Sequence, residues 1–304
     1  MPDNNSAIEI RGLTKRFGAL TAVDHLTFDV PAGNVVGFLG SNGAGKTTTL
    51  RMLLGLVAPS AGQATFRGRL YADLADPLHE VGAVLEAANF HPGRTARAHL
   101  DIYALAGDSP RSRVDDVLDQ VGLTSAAERR VGGFSMGMRQ RLGLATALLH
   151  NPEIFILDEP SNGLDPEGVR WLRDLIKGLA ADGHTVLVSS HLLAEVAQTV
   201  DSVVIVDHGH LVTQSSLAKL TAQAGMVVRI RTPRAAELAT ALARDGITAT
   251  VVASDRLEVS GATPEQVGTL AAERAIPLFE TTTDAPSLED VFLHLTTTHQ
   301  EVSS

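Results

Sequence analysis

The chain has 304 residues, and 35 Asp and Glu against 25 Lys and Arg give it a formal net charge of −10. This acidic balance argues against a protein that binds nucleic acid through its phosphates, because such proteins cluster positive charge. Cysteine is absent, which excludes disulfides and thiolate metal sites.

The first predicted elements are short strands around one helix. The run NVVGFLG (34–40) indicates a buried strand, and KTTTLRMLLGL (46–56) indicates a helix that starts directly after the glycines. From about 86 to 150 the pattern becomes helical, and between 154 and 213 apolar strands alternate with amphipathic helices. Such alternation is typical of parallel strands with crossover helices. Residues 1–222 are therefore expected to form an α/β domain with a helical insertion.

A second, smaller series of elements follows after about residue 225. It reads as strand, helix, hairpin, helix and strand, from MVVRIR (226–231) to IPLFETTT (276–283). This β-α-β-β-α-β order is that of the ferredoxin-like arrangement. The sequence SLEDVFLHLTTT (287–298) predicts one more helix, with an acidic first turn behind a serine cap. We therefore expect a small α+β C-terminal domain over 226–304.

A glycine-rich stretch between the strand 34–40 and the helix 46–56 matches G-x-x-x-x-G-K-[ST]. Glycines in this pattern let backbone N–H groups turn toward a β-phosphate. Lys46 would reach the β- and γ-phosphates, and the Thr47 hydroxyl would hold Mg²⁺. The strand–loop–helix context favours this interpretation over a chance match. The predicted nucleotide-binding residues are Gly40, Ser41, Asn42, Gly43, Ala44, Gly45, Lys46, Thr47 and Thr48.

Two adjacent carboxylates end the hydrophobic strand IFILDEP. Asp158 lies where an acidic residue can complete the Mg²⁺ shell. Glu159 is then placed to polarise an attacking water. Taken alone, a strand-end carboxylate more often caps a turn, but the phosphate loop upstream supports the catalytic interpretation.

The stretch FSMGMRQ (134–140) opens a predicted helix with small residues and a free hydroxyl, which suits a second anion site. On its residues alone, an ordinary N-capped helix is the more frequent interpretation. With the motifs above, however, the chain resembles the ATP-binding subunits of ABC transporters over essentially all of 7–222, and this stretch resembles their signature LSGGQ-x-Q. The resemblance implies a P-loop NTPase fold of ABC type. Phe134, Met136 and Met138 depart from the signature.

In that family two ATPase subunits pair head to tail on binding ATP. The resemblance therefore implies a homodimer or pseudo-dimer in which Ser135 and Gly137 contact the γ-phosphate on the other subunit. The loop SNGLDP, with Asp165 as its key acid, would touch that subunit as well. Two anion sites on one chain would then serve two nucleotides.

Three further residues take roles from the resemblance. His191 resembles the switch histidine that contacts the γ-phosphate and orients the water at Glu159, although a lone histidine is more often structural. Phe17 resembles the aromatic residue that stacks on adenine, and its alternative is a core or surface phenylalanine. Glu86 stands where the family usually has a glutamine that meets Mg²⁺ and the water. The alternative is that Glu86 points to solvent or only contacts the membrane partner.

The sequence around Glu86 resembles that of the ATPases of lantibiotic and bacitracin-type immunity exporters. The C-terminal stretch PSLEDVFLHLT resembles the tail of ABC-2 drug-export ATPases. The expected function is ATP hydrolysis with Mg²⁺ that powers export of an antibiotic, peptide or lipid-like compound. No apolar run approaches the roughly 18 residues that span a bilayer, and MPDNNSAIEI does not read as a signal peptide. We therefore expect a peripheral subunit on the cytoplasmic membrane face, working with separate ABC-2-type permease subunits and without nucleic acid.

Two alternatives stay open. One is an ATPase subunit of another ABC system, either an importer or a lipoprotein or cell-division machinery. The other is a soluble ABC protein of translation control or DNA repair. Proteins of that second kind usually join two cassettes or insert long coiled coils, whereas this chain has one phosphate loop and no heptad run.

Overall fold

The computed structural model describes residues 6–85, 90–191, 198–223 and 227–284. The chain divides into two compact units, Met1–Ser215 and Ser216–Ser304. Glu86, part of the helix predicted after His191 and the helix predicted over 287–298 lie outside the described residues. Among the described helices, none combines the length and the apolar character needed to cross a membrane.

The first unit follows the predicted alternation of strands and helices. Its elements are β1 (Ser6–Phe17), β2 (Leu20–Pro31), β3 (Val35–Leu39), α1 (Lys46–Leu53), β4 (Ala61–Phe66), α2 (Pro77–Glu80), β5 (Val81–Val84), α3 (Ala96–Ala106), α4 (Ser112–Gln120), α5 (Met136–Leu148), β6 (Ile154–Leu157), α6 (Pro166–Ala181), β7 (Thr185–Ser190), β8 (Ser202–Asp207) and β9 (His210–Ser216).

A six-stranded sheet in the order β5-β6-β7-β3-β8-β9 forms the centre of this unit. The pairs from β5 through β8 are parallel. Every residue of β3, β6 and β7 is buried, as expected for parallel strands covered on both faces. A second, antiparallel sheet has the order β2-β1-β4, and its core residue Phe28 contacts Phe38 of β3 with ring centroids 5.3 Å apart.

The parallel direction of the strands decides where a ligand can bind. Parallel strands end at one edge of the sheet, and ligands of open α/β sheets bind there. The phosphate loop follows β3, Asp158 follows β6 and His191 follows β7. Residues far apart in the chain therefore meet at this edge.

Helix α1 ends at Leu53, three residues before the predicted end of the run 46–56. Gly55 has φ +70°, a left-handed conformation that suits glycine. Its N–H donates to the Met52 carbonyl, and the Leu56 N–H donates to the Arg51 carbonyl. The apolar pattern continues to Leu56, but the glycine turns the chain out of the helix.

The second unit contains α7 (Leu217–Gln223), β10 (Val227–Arg231), α8 (Ala235–Arg244), β11 (Thr248–Ala253), β12 (Arg256–Ser260), α9 (Pro264–Glu273) and β13 (Glu280–Asp284). Its sheet has the order β11-β12-β10-β13 with antiparallel pairs throughout. The core side chains of β10 and β12 cluster with apolar residues of α8 and α9. The ferredoxin-like arrangement is thereby confirmed, whereas the domain bounds 1–222 and 226–304 stay a prediction.

One strand of this unit starts later than its sequence suggests. The run IPLFETTT predicts a strand from Ile276, but β13 begins at Glu280. Ile276 is instead buried in the core of the unit, and Pro277 has no N–H to give to a sheet ladder. Phe279, just before β13, makes the first hydrogen bond to β10 by donating its N–H to the Arg231 carbonyl.

Candidate nucleotide-binding and hydrolysis site

The loop between β3 and α1 has the backbone that a phosphate site requires. Gly45 precedes the helix with φ +97° and provides no side-chain cap for the first turn. A Cβ at this position would lie 2.5 Å from the Ala22 carbonyl oxygen, so only glycine fits. Without a side-chain cap, the N-terminus of α1 offers N–H groups and its positive dipole end to an anion.

Lys46 is buried at the start of α1, with 6% of its side chain exposed. Its Nζ donates to the Gly40 carbonyl at 2.7 Å and to the Ser41 carbonyl at 3.2 Å. It also forms an ion pair with Oε1 of Glu159 at 3.3 Å. A buried ammonium needs such partners for its charge and its three donors, and these partners fix Lys46 between the loop and the end of β6.

The carboxylate of Asp158, which follows β6, connects the start of α1 with the end of β7. It is 3% exposed, and its Oδ2 accepts a hydrogen bond from Oγ1 of Thr47 at 2.8 Å. Its Oδ1 accepts from Oγ of Ser189 at 2.5 Å. The predicted pair Thr47 and Asp158 is therefore brought together, and Ser189 holds the carboxylate from the side of β7.

Glu159 has an unusual backbone and a doubly held side chain. Its φ of +47° lies in the left-handed region, which is sparsely populated for non-glycine residues and is typical of functional sites. Its N–H donates to Oγ of Ser189 at 2.9 Å. Oε1 meets Lys46, and Oε2 lies 2.7 Å from Nδ1 of His191. The predicted base and the predicted switch histidine are thus in direct contact.

Ser189 is a further residue of the candidate site, and the sequence alone did not single it out. It is fully buried and bonds both Asp158 and Glu159. The one signal in the sequence is the ending TVLVSS, in which two small polar residues close an otherwise apolar strand.

The oxygen atoms of Thr47 and Asp158 form a donor set that fits Mg²⁺. This ion prefers oxygen ligands and is usually bound by one or two protein carboxylates together with substrate phosphates. Among the described residues, no group of three or more His, Asp or Glu side chains is arranged to hold a metal without help. A magnesium ion here would therefore take its remaining ligands from nucleotide and water.

The predicted signature residues lie elsewhere, at the start of α5. Ser135 is the N-cap residue, and its side chain accepts a hydrogen bond from the Met138 N–H at 3.2 Å. A Cβ at Gly137 would lie 3.1 Å from the Gly163 carbonyl oxygen, so the start of α5 packs on the loop after Glu159. In that loop Asp165 caps α6 by accepting from the Gly168 N–H at 2.8 Å.

Phe17 ends β1 at the turn into β2, with half of its surface exposed. Nζ of Lys15 lies 5.0 Å from the centre of its ring. Farther along β2, Ala22 is the residue that contacts Gly45. The exposed ring is therefore on the hairpin that backs the phosphate loop, and its role in stacking stays a prediction, as does every role of Glu86.

Comparison with known proteins identifies the family. A family model described as ABC transporter matches residues 23–162, and a domain of unknown function matches residues 226–289. The chain is 45% identical over 213 residues to the bacitracin transport ATP-binding protein BcrA of Bacillus licheniformis, covering 69% of this chain and 70% of that protein. The chain belongs to the ATP-binding proteins of ABC transporters. It is therefore an ATPase that binds ATP, and the family implies membrane partner subunits.

Two more similarities support this assignment. The lantibiotic transport ATP-binding protein SrtF of Streptococcus pyogenes is 33% identical over 207 residues, which is 68% of this chain and 90% of that protein. A dimeric ATP-binding cassette in a post-hydrolysis state, with ADP and Pi, superposes with a TM-score of 0.63 at 24% identity, covering 69% of this chain and 98% of that one. The predicted ABC fold and the resemblance to bacitracin and lantibiotic ATPases are confirmed.

Proposed function

We propose that this ABC ATPase powers the export of an antibiotic, peptide or lipid-like compound through separate ABC-2-type membrane subunits. The named cargoes of its relatives, bacitracin and lantibiotics, support this class of cargo. The subunit would act at the cytoplasmic face of the membrane, and residues 226–304 would form an accessory domain beside the ATPase domain 1–222.

The contact network Thr47–Asp158–Ser189–Glu159–His191 carries the proposal for hydrolysis. Glu159 is the carboxylate that polarises the attacking water, because it alone of the acidic pair touches both Lys46 and His191. His191 holds the orientation of that carboxylate. Because its orientation is fixed before the reaction, such a carboxylate is pre-organised to act as a general base.

The other residues of the site bind the nucleotide. Lys46 and the N–H groups at the start of α1 would hold the phosphates, and Thr47 and Asp158 would hold Mg²⁺. The ion, when bound, offsets charge on the phosphate oxygens. Phe17 stacks on adenine from the β1–β2 hairpin.

The dimeric state of the structural neighbour supports a pair of these chains. In this arrangement Ser135 and Gly137 reach the γ-phosphate that the other subunit binds, and Asp165 approaches the same subunit. A homodimer of this kind has two nucleotide sites, each made from both chains.

Glu159→Gln and Lys46→Ala test the hydrolytic assignment. Glu159→Gln should still bind ATP with Mg²⁺, lose activity by about 100-fold or more, and accumulate as a dimer with ATP. Lys46→Ala should weaken ATP binding by about tenfold or more, because it removes charge-assisted hydrogen bonds, and should not form that dimer. Rates of phosphate release and light scattering measure both effects, and a wild-type rate in Glu159→Gln would refute the base assignment.

The direction of transport is tested with the same variant. Placed at the native locus, Glu159→Gln should raise the cellular accumulation of a labelled peptide antibiotic of the bacitracin type relative to wild type. A fall in accumulation would show import, and an unchanged accumulation would exclude this class of cargo.

A further inference from the structure

The third residue of the signature stretch, Met136, lies on the loop that follows Glu159. Gly163 of that loop has φ +77°, and a Cβ placed there would be 2.5 Å from Cγ of Met136, 2.6 Å from Cε and 2.8 Å from Sδ. Although the methionine touches this backbone, it is 61% exposed. Its position is therefore not explained by burial in a core.

The loop under Met136 is held by hydrogen bonds of its own backbone and begins at Glu159. The Leu164 N–H donates to the Ser161 carbonyl at 3.1 Å, and the Asn162 N–H donates to the Glu159 carbonyl at 3.1 Å. Two overlapping hydrogen-bonded turns thus connect Gly163 with the backbone of Glu159. A shift of Gly163 would be passed to Glu159 rather than absorbed between them.

We propose that Met136 is a positioning residue for hydrolysis. Its contact with Gly163 sets the place of the Glu159–Asp165 loop relative to the start of α5. The inference rests on the proposed function, in which the start of α5 acts on one nucleotide and Glu159 acts on the other. Met136 then links the two sites within one chain. It contacts the loop that follows Glu159, and it is the neighbour in sequence of Ser135, which acts on the nucleotide of the other subunit.

The side chain suits this role physically. Methionine is unbranched and polarisable, so it follows an irregular backbone surface such as that of Gly163. A glycine at this place, as in the family signature LSGGQ, would leave the loop without that support. Helix geometry also favours the contact, because side chains in the first turn of a helix lean back toward its N-terminus.

The catalytic test compares Met136→Ala with Met136→Leu. Both replacements are strong helix formers, so α5 is preserved, but only leucine keeps the volume over Gly163. Met136→Ala should lower kcat by about tenfold through misplacement of the base, with the Kd for ATP within about twofold of wild type. Met136→Leu should keep kcat close to wild type. Equal kcat values in both variants, whether high or low, would overturn the positioning role.

A second test measures the contact itself on the full chain without nucleotide. Gly163→Ala is made in the wild-type chain and in the Met136→Ala variant, and thermal unfolding midpoints are compared as a double-mutant cycle. The strain of a left-handed alanine is common to both backgrounds and cancels. Because Cγ of Met136 lies close to the backbone and has little freedom to move, Gly163→Ala should lower the midpoint more in the wild-type chain than in the Met136→Ala variant. Additive effects would show that the contact is absent.

The two tests separate this inference from the proposed function. The cycle depends on neither ATP nor dimer formation, so it can support the contact even if Glu159→Gln turns out to hydrolyse ATP normally. Loss of kcat in Met136→Ala, together with a coupled cycle, supports the inference as a whole. A coupled cycle with wild-type kcat in Met136→Ala would leave a structural contact and refute its role in hydrolysis.

Discussion

Ser189 shows how one small side chain can organise two carboxylates that must do different work. Its hydroxyl donates to Asp158 and accepts from the N–H of Glu159. A hydroxyl can do both because it combines one donor with two acceptor lone pairs. The bond to Asp158 leaves that side chain turned toward Thr47. The bond from Glu159 supports the left-handed backbone of Glu159, whose carboxylate contacts His191.

Replacing Ser189 with alanine should therefore impair hydrolysis more than binding. We expect kcat to fall by about tenfold or more, the usual effect of losing a hydrogen bond to a charged group. The Kd for ATP should change little, because Lys46 and the N-terminus of α1 keep their contacts. Steady-state kinetics and nucleotide titration measure the two quantities.

The comparison for this variant is the same truncation at the next residue, Ser190, which lies on the other side of the pleated strand. Ser190→Ala should have the smaller effect on kcat. If both variants lose activity equally, the defect belongs to strand β7 in general and the specific role of Ser189 is wrong.

Residues in a recognisable local pattern could be predicted from the sequence, and His191 could be predicted from the resemblance, whereas two contacts between distant elements could not. Gly40–Thr47 form one pattern, and Asp158 and Glu159 end one strand, so local context was sufficient. Ser189 and the contact of Met136 with Gly163 depend on the register of β6 against β7 and on the packing of α5. Neither this strand register nor this helix packing can be derived from a single sequence.

At the scale of elements, the main helices and strands predicted from periodicity have the predicted type where the structure describes them, whereas α2, α7 and several ends were not predicted. The prediction for α1 extended past Leu53 because the apolar pattern continues beyond the glycine turn. The predicted strand began before β13 does because it included Ile276. That residue is apolar because it packs in the core of the second unit, not because it belongs to the strand. In the second region the apolar residue marks burial, whereas Leu56 beyond the glycine turn is exposed; in both regions the glycine or proline decides the backbone.

Two residues beyond the end of α5 lies a buried histidine, His150, whose pKa leads to a prediction at the scale of elements. His150 is 6% exposed, its Nδ1 lies 2.7 Å from Oγ of Ser109, and its ring lies 5.3 Å from that of His79. Burial, with a smaller effect of His79, lowers the pKa of His150 below its ordinary value. The unfolded chain therefore takes up a proton at this position at a higher pH than the folded chain does.

Stability should consequently fall as the pH is lowered through the ordinary histidine pKa of about 6.5. Between about pH 7.5 and 5.5 the unfolding midpoint of His150→Asn should decrease less than that of wild type, since asparagine does not titrate in this range. The variant has a lower midpoint at all pH values because the ring is lost, so the slope is the diagnostic quantity. His208→Asn, at an exposed site, controls for the loss of any histidine, and an unchanged slope in His150→Asn would contradict the argument.

At the scale of the whole molecule, the main question is why one chain carries two anion sites. The N-terminus of α1 lies in the network of Lys46 and Glu159, while the N-terminus of α5 packs on the loop around Gly163. The proposed two-fold pair of chains would account for this, because each nucleotide would then receive one site from each subunit. The sequence contains both sites, but it has no information about the second chain that would bring them together.

Mixing two defective subunits tests this arrangement directly. Lys46→Ala removes the phosphate-binding lysine, and Ser135→Arg places a bulky cation at the start of α5. In a mixed dimer with head-to-tail sites, one site carries both defects and the other carries neither. Random pairing of equal amounts makes half of the dimers mixed, so activity should recover to about a quarter of the wild-type value. If each chain instead completed its own site, every site would remain defective, and the mixture would be no more active than the two variants measured apart.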